Sequence, residues 1–303
     1  MISRIIFRIP FLLLFCTILS CRQEPKDTPI SGAITIYSDE AFKPVIDAEI
    51  ETFEALYKNA RVQVSYLPEN RLFDYLIKDS TELIITGRRL NKQELEYFSS
   101  EQALVNEFHF ATDAVALITS QKFNNYLTDS LLLRGLFSGT FARWRDLNPE
   151  WPADSVVLVV DQSNSANLQY IRNTFGLNTE KVRIYAAGTD KDVIDYVKQT
   201  PVALGVIGSA WVNDEEAAAA KNLRNGIHFI RIKAANTEYG PGQHSLADES
   251  NPLARAVYII RRNKNSGLSA GFTSFLLSER GQRIVLKAGI MPAVMPGREI
   301  IVR

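Results

Sequence analysis

Apolar positions along the chain change period several times, and each change marks an element. ITIYS (34–38) reads as a buried strand. In PVIDAEIETFEALYKN, Ile46, Ile50, Phe53 and Tyr57 recur at helical spacing, so the segment is an amphipathic helix. VQVSYL alternates as a strand, RLFDYLIK is a short helix, and ELIITG is a strand again. A second series follows with helix SLLLRGLF, strand VVLVV, helix ANLQYIRNTFG, strand VRIYAA, helix DKDVIDYVKQ and strand VALGVIG. Strands that alternate with helices in this way imply parallel sheets covered by helices, here in two α/β units. Trp144 and Leu147, at i and i+3, are expected to anchor a core, and the alanine run 217–220 to form a surface helix with Asn213 as a candidate cap.

In open α/β sheets a ligand sits beyond the carboxyl ends of the strands, where loops lead into helix N-termini. Three loops qualify: SDEAF at 38–42, TGRRL at 86–90 and DQSNSAN at 161–167. The last supplies hydroxyls, amides and the free N–H groups of a new helix, but no histidine, cysteine or lysine.

The first residues change the picture of where the chain resides. Arg4 and Arg8 precede an apolar run from Phe11 to Leu19, too short for a permanent membrane helix and of the length of a secretion signal. Ile18, Leu19, Ser20 and Cys21 resemble the lipobox of bacterial lipoproteins, in which cleavage leaves the cysteine to carry lipid. Residues 1–20 are then a signal peptide, Cys21 the lipidation site, and the polar, proline-bearing segment 21–32 a tether. Cys16 falls inside the removed segment, so the mature chain holds one cysteine and no internal disulfide.

Composition narrows the function classes. Of 303 residues, 34 are basic and 34 acidic; removal of Arg4 and Arg8 leaves 32 basic against 34 acidic, a balance of about −2, without the basic stripe of a nucleic-acid binder. The three histidines, His109, His228 and His244, are far apart and lack zinc-ligand spacing. No G-x-S-x-G elbow occurs, since GVIGSAW has other spacing. No enzyme, cofactor or metal is expected, and His109, in the alternating run EFHFATDAV, reads as a satisfied strand residue.

The succession YSDEAF, ELIITGRRL, FATDAVALI, LFSGTFARWRDL, VVLVVDQSNSANLQYI, VALGVIG, AVYIIRR, LSERGQ and AGIMP resembles the periplasmic phosphate-binding proteins of ABC transporters over nearly the whole mature chain. The most specific piece, LFSGTFARWRDL at 136–147, is similar to that family's "IFxGxxxxWxDL" signature. The resemblance implies an α/β, two-lobed type II periplasmic binding protein fold, each lobe a mostly parallel sheet flanked by helices. It places lobe 1 at 33–113 and 251–303 and lobe 2 at 114–250, with crossings near Asp113 and Asn251–Ala256. It further implies capture of phosphate or a related oxyanion for an ABC transporter permease, by a chain held to the membrane through its N-terminal lipid on the periplasmic side or cell surface.

By the same resemblance the candidate phosphate-binding residues are Ser38, Asp39, Thr86, Arg88, Ser165 and Asn167. The match is looser here than elsewhere. Asp39 stands where the family has a second hydroxyl, PEN (68–70) where it has a Gly-rich turn with serine, Ser165-Ala166-Asn167 where it has Ser-Gly-Thr, Asp161 in place of an arginine, and Glu82 in place of an aspartate. Several site residues have a second reading: Ser165 or Asn164 as a helix N-cap, Ser38 and Asp39 as a cap ahead of PVIDAEI, and Arg88 in a surface or interlobe ion pair. The alternative function is a binding-protein fold whose cleft takes another oxyanion or small ligand, or that serves as a partner in an envelope complex.

Overall fold

The computed structural model describes residues 27–123, 125–262 and 267–297. The chain runs β1 (Gly32–Ser38), α1 (Lys43–Leu56), β2 (Ala60–Tyr66), α2 (Glu69–Ile77), β3 (Leu83–Thr86), α3 (Lys92–Ser100) and β4 (Val105–Thr119). It continues with β5 (Leu127–Asp129), α4 (Ser130–Phe137), α5 (Trp144–Leu147), β6 (Val157–Val160), α6 (Ala166–Phe175), β7 (Ile184–Ala186), α7 (Asp190–Gln199) and β8 (Ala203–Gly208). Last come α8 (Ala218–Arg224), β9 (His228–Ala234), β10 (Thr237–Tyr239), α9 (Gln243–Leu246), β11 (Ala254–Arg262), α10 (Leu268–Leu276), α11 (Glu279–Lys287) and β12 (Met291–Pro292). The signal segment and Cys21 lie outside the described residues.

The strands follow the order β2-β1-β3-β11-β4-β8-β6-β7. β1 pairs parallel with β2 and β3, and β6 pairs parallel with β7 and β8, so each lobe carries the parallel unit that alternating βα patterning predicts. The long strand β4 joins them. Its residues 105–114 pair antiparallel with β11, and Val115–Ile118 pair antiparallel with β8. The transfer falls at Ala114/Val115, where the Val115 N–H reaches the Leu253 carbonyl.

Local signals explain the helix boundaries. Ser165 accepts the Leu168 N–H and opens α6, and Gly176, at φ 74°, closes it in the left-handed conformation that glycine adopts without a Cβ penalty. Thr189 and Asp192 form a capping box on α7, as Asn91 and Glu94 do on α3. α8 begins at Ala218 and not at 217; Asp214 accepts the Glu216 and Ala217 N–H groups, whereas Asn213 donates to the Pro241 and Gly289 carbonyls and caps nothing.

The largest apolar cluster spans both lobes, from Ile36, Phe42 and Phe53 to Leu158, Ile171 and Leu204. Trp144 and Leu147 are buried in it as expected; Trp144 lies edge-on to Phe123, and Phe123 stacks on Trp151 at 4.2 Å between centroids. His109, by contrast, is exposed on β4, 5.8 Å from the Tyr258 ring, because its stretch of strand faces solvent before the strand enters the core at Phe110.

Candidate functional site

The carboxyl ends of β1, β3, β6 and β8 and the N-termini of α6 and α7 meet between the lobes. Ser38, Thr86, Ser165 and Asn167 are all buried there, as are Asp39 and Asp161. What fills the meeting point is carboxylate. Asp39 Oδ1 accepts the Ala41 N–H, so it does cap the turn ahead of α1, while Oδ2 crosses to the other lobe and accepts the Ala166 N–H at 2.9 Å. Next to it, Glu40 Oε2 accepts the Asp190 N–H at 3.0 Å, and Asp190 Oδ2 accepts the Gly208 N–H at 2.7 Å. Three backbone donors suited to an anion are therefore held by the protein's own acids.

The remaining predicted residues are oriented by the same acids. Thr86 Oγ1 and the Gly87 N–H both donate to Glu69 Oε1, at 2.9 and 3.0 Å. Ser165 caps α6 and donates its hydroxyl to Asp161 Oδ1 at 2.5 Å, and Asn167 Nδ2 donates to Asp190 Oδ1 at 2.8 Å. Ser38 donates to the Asp39 carbonyl. Arg88 is not brought to this point: it makes a two-pronged pair with Glu94 at 2.8 Å and lies 3.4 Å over the Phe73 ring, with Glu69 at 3.8 Å. Its place is the rim, in the ion pair that was its second reading. Glu82 precedes β3, at the end away from Thr86, and accepts from Ser269.

The cation inside the site is Arg255, which sequence reasoning did not single out. Its Nη2 donates to Asp113 Oδ2 at 2.9 Å, both side chains being buried, and its guanidinium lies 4.8 Å from the Phe42 ring. Asp113 also accepts from Ser209 Oγ at 2.6 Å, whose oxygen takes the Ala114 N–H. This network sits at the point where β4 passes between the lobes. Burial pulls the arginine towards deprotonation, but the acids around it, Asp113 above all, outweigh it and hold the charge.

Crowding of acids in a dry space shifts their protonation. Burial first, then the neighbouring Asp161 and Glu69, push the Asp39 carboxyl up to about 8. Burial pushes Glu40 up to about 8 as well, and Asp161 to about 6, the Ser165 hydroxyl opposing the latter. Asp190 is raised well above the carboxylate range by burial and by Asp161 and Glu40. At neutral pH Asp39 and Glu40 are thus mostly neutral, which lets this many acids share one cleft.

Glu40, Glu69, Asp190 and Arg255 were not singled out by the sequence reading: Glu40 lies inside the loop SDEAF and Arg255 inside β11. Glu69 is the middle of the PEN that replaces the Gly-rich turn, and Asp190 opens a strand-to-helix junction of the same kind as DQSNSAN.

A two-lobed α/β sheet whose strand ends and helix N-termini converge on a buried interlobe cleft is the fold of the type II periplasmic binding protein class. The chain belongs to the PBP superfamily, whose domain model matches residues 23–280. Among known proteins it is similar to protein SphX of Synechocystis sp., 23% identical over 299 residues that cover 94% of this chain and 84% of that one. It is also similar to the phosphate-binding protein PstS of Staphylococcus aureus, 18% identical over 246 residues covering 79% and 72%. Two solved structures share the fold. One is a substrate-binding protein from Clostridium perfringens with bound phosphate (TM-score 0.72, 17% identity, 87% of this chain and 100% of that one). The other is an ABC-type phosphate transport receptor from Vibrio cholerae (TM-score 0.65, 17% identity, 85% and 99%).

Proposed function

We propose that the chain is the extracytoplasmic solute receptor of an ABC importer, tethered to the membrane by lipid on Cys21, and that it captures phosphate or a related tetrahedral oxyanion between its lobes. The lobes of this reading are residues 33–113 with 251–303, and 114–250, the chain passing between them at Ala114/Val115 and again near Leu253. One observation carries the ligand class: the Asp39 carboxylate oxygen on the Ala166 N–H. It marks, between the lobes and at the first residue of α6, a backbone donor of the kind that holds an oxyanion, with the Asp190 and Gly208 N–H groups and Arg255 around it. The names of the Staphylococcus aureus and Vibrio cholerae relatives support phosphate as that ligand. An oxyanion would take over the Ala166 N–H from Asp39, with Ser38, Thr86, Ser165 and Asn167 as neighbouring donors. Binding and transport, not catalysis, is the role this gives the chain.

A second reading is favoured by the acids themselves. With Asp161 where an arginine stands in the family and Arg88 committed to Glu94, the cleft is poorer in positive charge than an oxyanion receptor requires, which suits a different small ligand or an envelope partner. Calorimetry of the chain with phosphate, sulfate and arsenate, after unfolding and refolding to strip carried ligand, separates the two. Binding of phosphate in the micromolar range supports the first; a folded chain that takes up none at millimolar concentration overturns it.

A further inference from the structure

Glu40, Asp161 and Asp190 come together so that one carboxylate oxygen from each lies within 4.8 Å of the others, and all three residues are buried. Their arrangement differs from that of an ordinary acidic cluster in how the oxygens are used. Each side chain is fixed on one side by a donor: Glu40 Oε2 by the Asp190 N–H, Asp161 Oδ1 by the Ser165 hydroxyl, and Asp190 by the Gly208 N–H and Asn167 Nδ2. Glu40 Oε1 and Asp161 Oδ2 then have no donor among the described residues.

A fourth residue makes an independent observation. Asn167 is fully buried, and its amide nitrogen bonds to Asp190, which brings the carboxamide against one of the three acids. Its Oδ1, the acceptor of a neutral carboxamide, likewise has no donor among the described residues. Buried acceptors ordinarily have one. Buried oxygen atoms gathered together, positioned by hydrogen bonds and with acceptor capacity left over, are how proteins build cation sites.

We infer that Glu40, Asp161, Asp190 and the Asn167 carbonyl form an interlobe site for one hard divalent cation, Ca2+ or Mn2+. All four ligands are oxygens, three of them from carboxyls that give up their protons when an ion binds, and no thiolate or imidazole contributes, which excludes a soft-metal preference. Glu40 comes from one lobe and the other three residues from the second, so the ion bridges the cleft and holds it closed. The site stands whether or not the cleft takes an oxyanion. Where it does, the ion supplies the positive charge that Asp161 removes.

Trp211 provides a reporter, because its Nε1 donates to the Glu40 carbonyl at 3.3 Å and places the indole beside the site. The chain, freed of metal with EDTA and exchanged into metal-free buffer, is titrated with CaCl2 and MnCl2 by calorimetry, and with TbCl3 under indole excitation. One ion per chain with Kd below about 1 mM is expected, together with sensitised Tb3+ emission that Ca2+ displaces and that Trp211→Phe abolishes. Asp161→Asn and Asn167→Ala, each shown by circular dichroism to be folded, are each expected to weaken binding tenfold or more. The inference is overturned if the folded wild-type chain binds none of these ions at 10 mM, the carboxyls holding protons only, or if both variants bind as tightly as wild type. It is equally overturned if Tb3+ emission survives Trp211→Phe unchanged.

Discussion

Asp39 and Ala166 are 127 residues apart, yet the Asp39 carboxylate accepts the Ala166 N–H at 2.9 Å and so ties the end of β1 to the first residue of α6 across the cleft. The side chain does what a bound oxyanion would do at the same donor. Asp39→Ala should therefore release Ala166 to an external ligand. A hydrogen bond to a charged group contributes about 1.5–3 kcal/mol, so phosphate affinity by calorimetry should rise about ten- to a hundredfold. Unchanged or weaker binding would show that Asp39 is part of the ligand's own contact set.

Closure depends on a glycine. A Cβ built on Gly208 would stand 2.7 Å from the Ala41 carbonyl oxygen and 3.1 Å from the Ala41 Cβ, so β8 of one lobe approaches the loop after β1 of the other more closely than any side chain permits. Gly208→Ala should force these elements apart at a cost of about 1–3 kcal/mol to the closed arrangement. Small-angle scattering should then give a larger radius of gyration for the variant than for wild type, with the circular dichroism spectrum retained. Superimposable scattering profiles would show that the loop yields instead.

The fold was legible because its elements are long, periodic and locally consistent: α1 carries proline in its first turn, α6 ends at Gly176, and the burial of β6 and β8 on both faces is written in unbroken apolar runs. The cleft was legible in position but not in wiring. Ser165 and Asn167 were placed at the start of α6, and Ser165's partner Asp161 lies within DQSNSAN itself, but nothing there states that Asn167 pairs with Asp190. That pairing depends on which strand lies beside β6, a fact beyond the segment that periodicity does not encode. Arg255 was hidden for the same reason, since it lies within a strand of apolar character and its partner Asp113 is 142 residues away.

That pair yields a stability prediction. Arg255 is buried against Asp113, and removing one member of a buried pair leaves the other charge unmatched, a cost of about 3–5 kcal/mol. Arg255→Ala should lower the urea midpoint accordingly, and Asp113→Asn introduced into that variant should recover part of the loss. A single variant as stable as wild type would mean that Ser209 alone suffices for Asp113.

The proposed membrane attachment rests on one thiol. If Cys21 carries the lipid, Cys21→Ser should leave an uncleaved, unlipidated precursor, because a hydroxyl does not accept the diacylglycerol. Metabolic labelling with a radioactive fatty acid checks this: label in the wild-type chain and none in the variant is expected, and a labelled, membrane-bound variant would refute the assignment.

Glu49 offers a test away from the cleft. It is fully buried on α1, neither of its oxygens has a partner among the described residues, and burial pushes its carboxyl from 4.5 up to about 10. The folded chain thus holds this proton more tightly than the unfolded chain does. The resulting stabilisation is fully present below the unfolded value near 4.5 and is lost as pH rises towards about 10. One such group contributes a slope of up to about −1.4 kcal/mol per pH unit inside that window. Glu49→Gln keeps the shape and removes the titration, so urea denaturation between pH 6 and pH 9 should show a flatter profile for the variant and a stability gain over wild type that grows with pH. Parallel profiles would mean that Glu49 is ionised in the folded chain and has a partner that stabilises its charge.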